Sequence, residues 1–109
     1  TVTVDTVGPT SPMVTSPVDG STLTTLPVTM TGTAEPGSVV QLFHSDQMLY
    51  AEATASSTGA WSIVLARDYF EYEGVLTGRR ATVRPSLWAL DAVGNPSPTL
   101  TLTYQTRLR

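Results

Sequence analysis

The 109-residue chain has the size of one domain, since domains most often run to about 100–150 residues. Its net charge of −3 supplies no basic field for nucleic acid, and no apolar run approaches the roughly 18 residues of a membrane span. Without cysteine there is no disulfide, no thiolate nucleophile and no cysteine metal site. Nineteen Thr, ten Ser and frequent Val favour strands, and eight Gly with eight Pro supply turns.

Taken in order, turn signals recur roughly every eight to fifteen residues. Met13–Ser16 reads as a short first strand, closed by the turn Pro17-Val18-Asp19-Gly20. Pro27–Ala34 alternates Val28, Met30, Gly32 and Ala34 against a Thr-rich face, and Glu35-Pro36-Gly37 turns the chain. Val39–His44 is a third strand, and Ser45–Gln47 leads into Met48–Ala55. After Ser57-Thr58-Gly59, Trp61–Leu65 places Trp61, Ile63 and Leu65 on one face, with Trp61 as the core tryptophan. Ala81–Leu90, the turn Asp91–Pro96 and Thr99–Thr106 complete seven strands, which predicts an all-β antiparallel sandwich. No segment shows a helix-length stripe.

Two places depart from that pattern. Pro85 cannot donate to a ladder, so a bulge or a late strand start is expected there. Leu87 and Ala89 face one side and Trp88 and Leu90 the other, so the second apolar face needs a cover. The long connection Arg67–Arg80, with Tyr69, Phe70 and Tyr72, is the expected cover.

Thr1–Thr6 (TVTVDT) resembles Thr101–Thr106 (TLTYQT), as if a final strand also stood before the first one. With Thr1 at its start and no leader, the chain reads as a piece of a tandem array. Residues 1–8 are then a linker or the last strand of a preceding repeat, 9–106 the sandwich and 107–109 a tail.

Four motifs in order carry a resemblance: VDTVGPTSPMVTSPVDGSTL, TGTAEPGSVVQLF, STGAWSI and DAVGN. Across residues 4–65 and 81–106 the chain resembles the bacterial Ig-like repeats of large surface and secreted adhesin-type proteins. The resemblance implies an Ig-like or fibronectin-III-like sandwich without disulfide, in an extracellular chain whose partners are neighbouring Ig-like domains. In some such arrays calcium stiffens the junctions. Trp88, Leu90 and the long 66–80 connection depart from the pattern, as does Gln105 in the closing strand.

An Ig-like path brings Asp5, Glu35 and Asp91 towards one pole, where oxygen ligands from loops suit calcium as a cofactor. The competing account is that Asp91 and Asn95 shape a hairpin turn and Glu35 is a solvated turn residue. His44, the single histidine, stands without a GxSxG elbow or an HExxH helix and reads as a strand end. Glu71 and Glu73 read as solvated loop residues, paired with Arg79, Arg80 and Arg84. No catalytic set emerges, so the chain is expected not to be an enzyme.

The leading expectation is a monomeric structural spacer that binds no nucleic acid and inserts into no membrane. The alternative is an adhesive or carbohydrate-binding module, with Tyr69, Phe70, Tyr72 and Trp88 as a platform for a glycan or a host or cell-surface protein. A private mini-core is the plainer reading of those aromatics.

Overall fold

The computed structural model describes residues 10–109. Ten strand segments and one short helix make up its regular structure, in three sheets. In the first sheet β1 (Met13–Ser16) and β6 (Ala60–Leu65) flank β3 (Val28–Thr33). β3 and β6 pair antiparallel from Val28 opposite Leu65 to Thr33 opposite Ala60. Both alternate buried and exposed, as a strand with one core face must.

The second sheet is built on β4 (Val39–Phe43), which lies between β5 (Leu49–Thr54) and β8 (Ser86–Leu90), with β9 (Leu100–Thr101) at the far edge. A small third sheet joins β2 (Thr22–Leu23), β10 (Tyr104–Arg107) and β7 (Arg80–Val83). Within it β10 runs parallel to β2 and antiparallel to β7. The single helix, α1 (Arg67–Glu73), follows β6.

The core lies between the inward faces of the first two sheets. Met30, Trp61, Ile63, Val40, Leu42 and Leu87 are buried there, together with Tyr69 and Phe70 of α1. Trp61 is thus the expected core tryptophan. Its indole packs so closely under Gly32 that a Cβ at that position would meet the ring at 2.7 Å and the Met13 carbonyl oxygen at 1.9 Å. Only glycine lets β1 and the indole approach β3 from both sides.

The all-β sandwich reading agrees with this architecture, and several finer expectations need correction. Residues 81–90 and 99–106 do not run as two unbroken strands. β7 stops at Val83 and β8 starts at Ser86, because Pro85 has no N–H for a ladder. The Pro85 carbonyl accepts the Leu102 N–H at 3.0 Å, across the corresponding gap between β9 and β10. The 66–80 connection carries a helix, α1, too short to show a stripe. Residues 107–109 are not a loose tail: Arg107 belongs to β10, Leu108 is buried, and the Arg109 carbonyl accepts the Arg67 guanidinium at 2.8 Å.

Candidate functional site

Each end of β4 opens onto a cluster of polar side chains, and the two are built differently. At the C-terminal end the alternation of β4 continues to His44, which turns inward and is buried. A tight loop follows, in which the His44 N–H donates to the Met48 carbonyl at 2.8 Å and Gln47 takes a left-handed φ of 75°. Against this loop lies α1, ended by Gly74 at a left-handed φ of 73°. Helical spacing puts Tyr69, Phe70 and Glu73 on its inward side.

The Glu73 carboxylate accepts the His44 Nδ1–H at 2.8 Å, and both side chains are only 6% exposed. The same carboxylate accepts the Ser45 N–H at 3.3 Å and the Ser45 hydroxyl at 2.9 Å. With three donors, a buried carboxylate is well matched. The imidazole is stacked on Tyr69 at 4.6 Å and lies against Tyr72 at 4.0 Å, while Tyr50 meets it edge-on at 5.3 Å.

Two further bonds fasten helix to sheet. The Tyr50 hydroxyl donates to Asp68 at 2.7 Å and accepts the Ala66 N–H at 3.2 Å. The Tyr72 hydroxyl donates to Asp46, and this bond is the main cause holding the Asp46 carboxyl below its ordinary value. Its counterpart raises Tyr72, whose proton the carboxylate holds. Burial pushes the Tyr69 phenol far up, and burial, then the Asp68 bond, raises Tyr50.

Chemically this cluster is a clasp. The Ser45 hydroxyl bonds to Glu73 and not to His44, so the nucleophile–base–acid order of a hydrolytic triad is missing. Glu73, expected in a solvated loop and paired with arginine, is instead buried against His44. Glu71 is exposed and pairs with Arg67 at 3.3 Å, one helical turn away. The partners in the clasp lie 29 residues apart, beyond the reach of any local sequence pattern. Asp68 in the first turn and Gly74 after the last were the available signals for α1.

At the N-terminal end of β4, Glu35–Ser38 and Asp91–Val93 line an open cleft of about 350 Å³. Glu35 and Asp91 therefore share one end of the molecule, and Asp5 lies outside the described residues. One Asp91 oxygen accepts the Val93 and Asn95 N–H groups at 3.0 and 2.8 Å, and the other accepts the Asn95 amide at 3.1 Å. These bonds, the Asn95 N–H above all, hold the Asp91 carboxyl below its ordinary value. Among the described residues no group of three or more His, Asp or Glu side chains is placed to hold a metal.

The four aromatics expected as a platform occupy different places. Tyr69 and Phe70 are fully buried and Tyr72 is exposed. Trp88 projects from the opposite face of the second sheet, where it meets Phe43 edge-on at 5.4 Å and donates its Nε1–H to Gln41 at 2.7 Å. The cover for Trp88 is thus Phe43 and Gln41, and α1 covers the clasp instead.

No family model and no curated protein matches this chain. Among solved structures nine chains match. One is the crystal structure of an engineered protein, 16% identical with a TM-score of 0.50, the match covering 93% of this chain and 20% of that one. The likeness is one of fold, and this chain spans about a fifth of that protein's length.

Proposed function

We propose that the chain is a non-catalytic Ig-like structural repeat, a spacer in a bacterial cell-surface or secreted multi-domain protein. The observation that carries this reading is the strand order. β1-β3-β6 and β5-β4-β8-β9 enclose one core beside the small β2-β10-β7 sheet, a layered all-β arrangement that supports an Ig-like sandwich. The helical connection that sets the sequence apart is committed to internal packing, which suits a load-bearing module. The extracellular setting and the tandem array rest on the four sequence motifs.

In this reading the cleft at Glu35 and Asp91 is the junction with a neighbouring repeat, and calcium binds there. A calcium-loaded junction limits bending between repeats. The second reading, an adhesive or carbohydrate-binding module, draws on the half-buried Phe43 and Trp88 on the outer face of the second sheet.

Three observations test the choice. The sequence flanking this chain should contain adjoining copies of the same four motifs. A single copy joined to a catalytic domain would overturn the spacer. Thermal unfolding in excess EDTA and then in millimolar calcium tests the junction. Saturation at a hundredfold excess over Kd adds about 2.7 kcal/mol. Binding to a glycan array that Trp88→Ala abolishes, with melting unchanged, would favour the adhesive module.

A further inference from the structure

An edge strand offers unpaired N–H and C=O groups to another chain, and proteins blunt such edges with charge, proline, bulges or brevity. Most edges here carry such a device. β1 is bulged between Val14 and Ser16 and bounded by Pro12 and Pro17. β5 has a register shift against β4 and carries Glu52. β2 and β9 are two residues long, and β9 follows Pro96 and Pro98. β7 begins at Arg80 and is followed by Arg84 and Pro85.

β6 is the exception. It is six residues long, contains no charge, proline or bulge, and sits in an uncharged run from Ala55 to Ala66. Among the described residues β3 is its one strand partner. Its outward side chains are Ala60, Ser62 and Val64, and Val64 is 50% exposed. An open cleft of about 490 Å³ is lined by Ala60, Trp61 and Ser62 of β6 together with residues of β1, β3 and β5, so the first half of β6 is reached from solvent.

We propose that two copies of this chain associate through β6, the free edge of one pairing antiparallel with the same edge of the other. Antiparallel self-pairing is isologous, so each residue must tolerate its own copy or a near neighbour. With the two-fold axis at Ser62, Ser62 faces Ser62 and Val64 faces Ala60. With the axis at Ile63, Ser62 faces Val64. Neither register opposes like charges, whereas self-pairing of β5 with the axis at Glu52 sets two copies of Glu52 against each other. The three-stranded first sheet becomes a continuous six-stranded one. One strand pair is a smaller contact than the ~1,200–2,000 Å² of a lasting complex. Association is therefore weak for free chains, and it gains most where spacers are held side by side.

Sedimentation equilibrium of the full chain, from micromolar to about millimolar concentration, tests the pairing. The weight-average mass should climb from 11.6 kDa towards twice that value. Ser62→Lys/Val64→Lys sets lysine against lysine in either register, on positions that face solvent, and should weaken the dimer at least tenfold with the circular dichroism and melting unchanged. Ser62→Glu/Val64→Glu should also be monomeric alone, and an equal mixture of the two variants should recover the dimer. A mass fixed at 11.6 kDa throughout overturns the proposal. So does a dimer that survives both variants. A dimer lost in Val2→Asp/Val4→Asp but kept in the lysine variant would assign the contact to residues 1–6 instead.

Discussion

The two ends of β4 are made from similar residue types and serve different ends. At the His44 end, carboxylate, imidazole and phenol groups are buried and joined across 29 residues of chain. At the Glu35 end, the carboxylates stay at the surface, and the bonds of Asp91 go to its own turn, within four residues. A charge removed from water must be matched by partners brought from elsewhere in the fold. A charge left in water shapes only its local backbone. The first end therefore holds the tertiary structure together, and the second stays at the surface around an open cleft.

The contrast predicts unequal sensitivity. Phe70→Ala removes a fully buried ring from the helix that covers the clasp and should cost about 4 kcal/mol. Val93→Ala, at a cleft residue that is 76% exposed, should stay within about 0.5 kcal/mol. Urea unfolding of both variants measures the difference. Equal losses would show that the helix does not anchor the core.

His44→Ala leaves Glu73 buried with only the Ser45 donors and should cost about 3 kcal/mol, as breaking a buried pair usually does. Because the two groups act as one unit, His44→Ala/Glu73→Ala should cost clearly less than the sum of the single losses. Strict additivity in the double-mutant cycle would mean that the 2.8 Å contact contributes nothing of its own.

The strand plan of this molecule was legible because alternation is local. Val28-Met30-Gly32 and Trp61-Ile63-Leu65 declare their inward face within six residues, and Pro85 marks the break in its strand without any tertiary information. That Glu35 and Asp91 line one cleft follows from which turns share an end of a sandwich. The clasp was not legible. A seven-residue helix is too short to show a stripe, and Tyr69, Phe70 and Glu73 look like a decorated loop until His44 is placed beside them. The cover of Trp88 is illegible for a related reason, since alternation gives the face of a side chain but not which distant segment reaches that face.

Alkaline pH should separate the ends further. The Tyr69 hydroxyl is buried without a hydrogen-bond partner, and burial raises its pKa. Tyr104, buried with its hydroxyl donating to the Pro17 carbonyl at 2.7 Å, is pushed up to about 12. A phenol raised in the folded state adds stability that is complete below the unfolded value of about 10 and is lost as pH climbs towards the folded value. Melting temperature should fall steeply between about pH 10 and 12. Tyr69→Phe should flatten part of that fall. At neutral pH it should be neutral or slightly stabilising, because it deletes an unmatched buried hydroxyl. A marked loss at pH 7 would mean that this hydroxyl has a partner in solution.

The smallest effect belongs to the Glu35 end and is the one that most sharpens the comparison. The Asp91 carboxyl is held below its ordinary value, chiefly by the Asn95 N–H. Its contribution is therefore present above the ordinary carboxylate range and lost as pH falls through the lowered folded value. Because the group is exposed, Asp91→Asn should trim the acid limb of the stability curve only slightly. The same substitution removes one of the few anionic oxygen donors at the cleft, so any calcium-induced rise in melting temperature should disappear with it. A calcium shift that persists in Asp91→Asn would place the ion away from this cleft. A large loss of stability without calcium would show that the turn, like the clasp, is structural, and the two ends of β4 would then differ in burial but not in role.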